Sequence, residues 1–266
     1  MPTTGKSTVS SMLSSPPHSL PIIDADKLAR DVVEPGTRGY AAILRHFHPT
    51  TPDLLVPASD TMPEDGPAGL GRPLNRPALG KRVFGDDEER RRDRAVLNAI
   101  VHPAVRRAML WRVLGLYVRG HWAVVLDVPL LIESRLDRFC GVVAVVAVRD
   151  PAVQMDRLRK RDPHLSPRDA EARVSSQTDV RLKAARCQDR GAGKGIVLWN
   201  DTDTRSLQDQ VDAAVSDLRA RTPAWWSWAL LACPPLAAAV AAWRFWDNAK
   251  LQRLWEEKER QTVKGD

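Results

Sequence analysis

Cysteine is scarce in this chain, and the few residues present lie far apart. Cys140, Cys187 and Cys233 are odd in number and form no C-x-x-C pair. That argues against a disulfide framework or a structural zinc site and fits a reducing compartment. Segregated charge is missing too. The formal net charge is +7, but it is spread along the chain and not gathered into a stripe, so no nucleic-acid partner is expected. Met1–Thr8 is polar, so no secretory signal is expected at the start. One stretch, Thr222 to Trp243, has no charged residue at all. Hydrophobic residues nevertheless make up 43% of the 266, which is enough for a real core and too much for a disordered chain.

The opening residues hold half of a recognisable motif. Thr4-Gly5-Lys6-Ser7-Thr8 matches the end of the phosphate loop G-x-x-x-x-G-K-[ST], whose first glycine would fall ahead of Met1. In such a loop, N–H groups around Gly5 face phosphate oxygens, Lys6 reaches the β- and γ-phosphates, and the Ser7 hydroxyl ligates Mg²⁺. A helix starting here would add its positive end to the anion site. ATP and Mg²⁺ are the ligands this pattern expects.

Apolar runs ending in acids mark the strands. Leu20–Ile23 closes at Asp24 and Asp26, Trp122–Leu126 closes at Asp127, Val142–Val148 is the clearest run, and Gly195–Trp199 closes at Asn200-Asp201. Helical patterns cover 7–13, 27–33, 37–48, 76–84 and 87–119, whereas 49–73 is rich in Pro, Gly, Asp and Thr and reads as a loop. Strands alternating with helices predict an α/β fold with a parallel sheet, whose ligands sit beyond the C-terminal strand ends. Gly5–Thr8, Asp24, Asp26 and Asp127 would all fall on that edge. Residues 151–190 read as a charged helical pair.

Near the far end, Trp225, Trp226 and Trp228 precede the uncharged run's centre, and Trp243 and Trp246 follow it, with Arg219, Arg221 and Arg244 outside. The length approaches the ~20 residues that span a bilayer, and the tryptophans suit its two interfaces. A single membrane-spanning helix is expected over 222–246, with Pro234-Pro235 at its centre as the contrary feature. The segment 247–266 is a charged tail, of which Lys250–Asp266 would then lie outside the bilayer as an exposed helix.

Taken in order, these segments resemble dephospho-CoA kinase. Asp24-Ala25-Asp26-x-x-Ala29-Arg30 with Val33-Glu34-Pro35-Gly36 is similar to that family's D-A-D-x-x-A-R…V-x-P-G segment. Arg76-Pro-Ala-Leu79-Gly80-Lys-Arg-Val83-Phe84, Leu97–Pro103 and Val125–Glu133 follow in the family's order, then Gln154-x-x-Arg157-Leu, Arg161-Asp162 and Arg173…Gln177. The resemblance implies a P-loop NTPase-like parallel sheet flanked by helices, with a helical lid at about 151–190 and acceptor-binding regions, over a kinase domain 1–218. The strand that the family places before G-K-[ST] is expected to be missing from this sequence. The implied reaction is ATP-dependent phosphorylation of the ribose 3′-hydroxyl of dephospho-CoA. The resemblance casts Lys6, Asp26 and Asp24 as catalytic, and Thr4, Gly5, Lys6, Ser7, Thr8, Arg157 and Arg161 as the ATP set. Arg30, His102, Asp127 and Pro129 fall to the acceptor, and Ser7 and Asp127 to Mg²⁺. The alternatives are an impaired, membrane-tethered binding protein and another small-molecule P-loop kinase.

Overall fold

The computed structural model describes residues 5–150 and 178–265. They divide into two compact units, one built on residues 22–119 with 124–128, the other on 5–21, 120–123 and the described residues from Pro129 onward.

In the first unit, β1 (Ile22–Asp24) and β2 (Val125–Asp127) pair in parallel, with Ile22 opposite Val125 and Asp24 opposite Asp127. Between them in sequence come α2 (Ala25–Asp31), α3 (Arg38–Phe47), α4 (Arg76–Val83) and α5 (Glu88–Val118). Each helix begins where a short polar side chain supplies an acceptor for orphan N–H groups: Asp24, Thr37, Asn75 and Asp87 accept from Asp26, Tyr40, Ala78 and Arg90 respectively. Tyr40, Ile43 and Phe47 recur at helical spacing on α3 and are buried with Leu54, Leu74, Leu79 and Val83, while Val96, Leu97 and Ile100 of α5 pack against them. The Pro- and Gly-rich segment 49–73 holds no helix or longer strand, as expected, but it is part of this core. Leu54 is fully buried, and the Tyr40 hydroxyl donates to the Arg72 carbonyl at 2.6 Å.

In the second unit, β3 (Val143–Ala147) and β4 (Gly195–Trp199) pair in parallel. They pack with α1 (Lys6–Ser14), α6 (Thr178–Gln188) and α7 (Thr204–Arg221). Leu207, Val211 and Val215 make the buried stripe of α7 and meet Val9 and Leu198. A Cβ on Gly195 would lie 1.7 Å from the Cys187 carbonyl oxygen, so the end of α6 and the start of β4 approach each other only because that residue is glycine. Among the described residues the strands thus form two parallel pairs, each flanked by helices.

The expected single helix over 222–246 is two helices. α8 (Ala224–Ala232) ends at Cys233, which is non-helical, and α9 (Pro234–Gly265) begins with the proline pair. The bend between them is 110°, and no single helix among the described residues is long and apolar enough to cross a membrane. Proline suits the first helical turn but breaks a helix that precedes it, since it has no N–H and its ring meets the carbonyl one turn back.

Within the tail 247–266, which continues α9 as far as Gly265, two polar side chains face inward. Asn248 and Gln252 of α9 are buried against a short 3-10 turn, Leu136–Phe139. Asn248 accepts from Arg190 and donates to the carbonyls of Arg138 and Cys140. Arg138 donates to Gln252, and Lys194 pairs with Asp247.

Candidate active site

Gly5 caps α1 in the left-handed conformation, φ 94° and ψ 14°. No side chain caps this helix and no acid lies in its first turn, which suits its positive end to an anion. Lys6 is half-buried, while Ser7 and Thr8 are exposed. Gly5 rests against β4's exit: a Cβ there would lie 2.3 Å from Asn200 Nδ2. Thr4, Arg157 and Arg161 lie outside the described residues.

The strand ends beside Gly5 carry a cluster that the sequence did not flag. The Asn200 N–H donates to the Ala147 carbonyl at 2.8 Å. Asp201 accepts from both the Arg149 N–H, at 2.6 Å, and its guanidinium, at 2.7 Å. The same guanidinium lies 4.1 Å from the centroid of the Trp199 ring, and Arg181 of α6 donates to the Arg149 carbonyl at 2.8 Å. The ends of β3 and β4 are therefore tied together at the edge where α1 begins. The available signal was an arginine just past one apolar run and an aspartate just past another, and nothing local says that they meet.

The first unit gathers the carboxylates. Asp24 and Asp127 end adjacent parallel strands in register, and Asp26 follows in the first turn of α2. Asp24 also has a local task, since its Oδ1 accepts from the N–H groups of Asp26 at 2.8 Å and Lys27 at 3.0 Å. Asp26 and Asp127 are half-buried and Asp24 is exposed. Arg30 is exposed in the last turn of α2, His102 is exposed on α5, and Pro129 is exposed beyond β2. Asp24, Asp26 and Asp127 thus share one strand edge, and the Gly5–Thr8 segment opens α1 in the other unit.

The dephospho-CoA kinase family model matches residues 3–204. The chain belongs to the dephospho-CoA kinase family. It is 37% identical over 255 residues to a dephospho-CoA kinase of Saccharomyces cerevisiae, covering 96% of this chain and 93% of that one. A dephospho-CoA kinase of Bacillus thuringiensis is 38% identical over 203 residues, 76% of this chain and 90% of its own. A Thermus thermophilus protein of known crystal structure superposes with a TM-score of 0.56 at 26% identity, over 81% of this chain and 93% of that one. These matches make the α/β, P-loop NTPase-like fold and the kinase class of this dephospho-CoA kinase family member plain.

Within this family member, α1 is braced from its far end. His18, just after the helix, hydrogen-bonds Asp212 of α7 at 2.7 Å. Hydrogen bonds from Gln208 and then His18 hold the Asp212 carboxyl below the usual carboxylate range. The helix that presents Lys6 and Ser7 thus abuts Asn200 at Gly5 and is tied past Ser14 to α7.

Proposed function

We propose that the chain transfers the γ-phosphoryl group of ATP to the ribose 3′-hydroxyl of dephospho-CoA, giving CoA and ADP, the last step of coenzyme A synthesis. The family membership sets the class. The observation that most supports the site is the in-register pairing of Asp24 with Asp127 at the end of parallel strands, where α/β folds hold their ligands.

Residue roles follow from chemistry. Lys6, at the start of an uncapped helix, neutralises the β- and γ-phosphates, joined by the N–H groups around Thr4, Gly5, Ser7 and Thr8. Asp26 accepts the proton of the 3′-hydroxyl as the new O–P bond forms and the bond from the γ-phosphorus to the β–γ bridging oxygen breaks. Asp24 fixes the backbone N–H of Asp26 and so orients it. Ser7 and Asp127 offer hard oxygens of the kind Mg²⁺ takes, and Asp24 brings a second carboxylate to the same strand edge. Mg²⁺, when bound, would supply charge neutralisation at the phosphates. Arg30, His102 and Pro129 are assigned to the acceptor side, and Arg157 and Arg161, within a lid at about 151–190, to the phosphates. The kinase domain is assigned to 1–218.

The deciding experiment is an ADP-release assay on the purified full chain with ATP and dephospho-CoA. Turnover should fall by about a hundredfold or more in Lys6→Ala and Asp26→Asn, with melting temperature little changed. Near-normal turnover in either variant would sink the assignment.

A further inference from the structure

The uncharged stretch forms an elbow whose surface is apolar. Trp225, Trp228, Trp243 and Trp246 are 62–78% exposed along its two arms, and Leu236 is exposed as well. So many large aromatic side chains left to solvent on one feature mark a contact surface.

Three observations say what it contacts. No acidic residue occurs between Asp217 and Asp247, whereas Arg219, Arg221 and Arg244 do, so the elbow and its approaches carry only positive charge. Indole is the side chain that suits the boundary between headgroups and acyl chains, with its ring in the apolar layer and its N–H in the wet one. Finally, both flanks return to the same unit. α7 buries Leu207, Val211 and Val215 in its core, and α9 beyond the elbow buries Asn248 and Gln252 against Leu136–Phe139. A segment tied to one body at both ends and bent by 110° at Cys233 makes an excursion into a surface, not a crossing.

We propose that the α8–α9 elbow is a monotopic docking surface for anionic lipid bilayers, entering one leaflet and leaving by the same face. This holds whatever the kinase turns over. Trp225, Trp228, Trp243 and Trp246 sit at the headgroup level, with Arg219 and Arg244 opposite the anionic groups.

The test is flotation of the full chain with phosphatidylcholine vesicles, with and without phosphatidylserine. The wild type should float with the serine-containing vesicles and be released by alkaline carbonate. Combining Trp228→Glu with Trp246→Glu, both exposed positions, should weaken partitioning by about tenfold or more, with the melting temperature unchanged. Arg244→Glu alone should weaken it by about fivefold on phosphatidylserine vesicles, which keeps the test valid if the double variant folds poorly. Failure of the wild type to float with either vesicle overturns the proposal, as does resistance to carbonate. So does a concentration-dependent dimer that the double variant abolishes while vesicle binding is absent, because the elbow would then meet a second copy of the chain.

Discussion

Asp137 and Arg190 form a buried ion pair, Arg190 Nη1 to Asp137 Oδ2 at 2.9 Å, that Asn248 of α9 completes by accepting from Arg190 Nη2 at 3.0 Å. Asp137 is wholly buried, so each charge depends on the other. Arg190→Met should destabilise the chain by about 3–5 kcal/mol, because it leaves a buried carboxylate without its partner. Asn248→Ala should cost about 1–3 kcal/mol through the stranded guanidinium and carbonyls. Urea denaturation would measure both. An unchanged midpoint for Asn248→Ala would mean that α9 is not docked.

Acid and alkali should each loosen this unit, for different reasons. A hydrogen bond from Lys194 is the main cause that holds the Asp247 carboxyl below its usual range. Its contribution is complete above the ordinary aspartate value, about 3.9, and is lost as pH falls through the lower folded value. Asp212 acts in the same sense. On the alkaline side, burial pushes the Cys140 thiol up to about 11. The unfolded chain then ionises first, and stability declines as pH rises from the ordinary thiol range towards that value. Melting temperature against pH should show both limbs, and Cys140→Ala should flatten the alkaline one.

Thiol labelling under native conditions should separate the three cysteines. Cys233 is exposed and Cys187 is buried, and burial raises the thiols of both Cys187 and Cys140. Only the thiolate reacts appreciably, so near neutral pH an alkylating reagent should modify Cys233 alone until the chain is unfolded. Equal labelling of Cys187 in the native protein would contradict the described packing of α6.

Gly5→Ala should damage the fold and nucleotide binding together. The left-handed backbone costs a residue with a Cβ about 1–2 kcal/mol, and that Cβ would press on Asn200. Adding Asn200→Ala should relieve the steric part and leave the backbone part. Denaturation and ATP titration of the single and double variants would resolve the two contributions.

Asp24 needs a pair of variants because it does two things at once. Asp24→Ala should lose the α2 cap, at about 1 kcal/mol, as well as the charge. Asp24→Asn keeps an acceptor for the N–H groups of Asp26 and Lys27 and discards only the charge. Turnover lost equally in both variants, with stability lost only in the alanine, would assign the charge to catalysis.

The strands were legible because each is an apolar run with a polar stop. Ile22–Asp24, Val125–Asp127, Val143–Ala147 and Gly195–Trp199 lie where alternating elements put them, and the D-A-D segment drew attention to the strand edge. Pairing was less legible. β1 meets β2 across the whole of α2–α5, and such contacts come from tertiary packing, which leaves no local mark. The Arg149–Asp201 tie was hidden for the same reason. Pro234-Pro235 is visible in the sequence, but an uncharged run of this length suggests one helix around it, whereas proline is well placed at the start of a second. Asn248 and Gln252 sit among charged neighbours and look solvent-facing in sequence. The carbonyls of Arg138 and Cys140 and the side chains of Arg138 and Arg190 show why they face inward.

α9 runs unbroken from Pro234 to Gly265, exposed along its first arm and clamped through Asn248, Gln252 and Asp247 along its second. A rod held at one end gives its other end a fixed bearing. Whatever meets Trp243 and Trp246 meets this unit in one orientation, and the direction in which Gly5, Asn200 and the ends of β3 and β4 look out from that surface is then set by the helix.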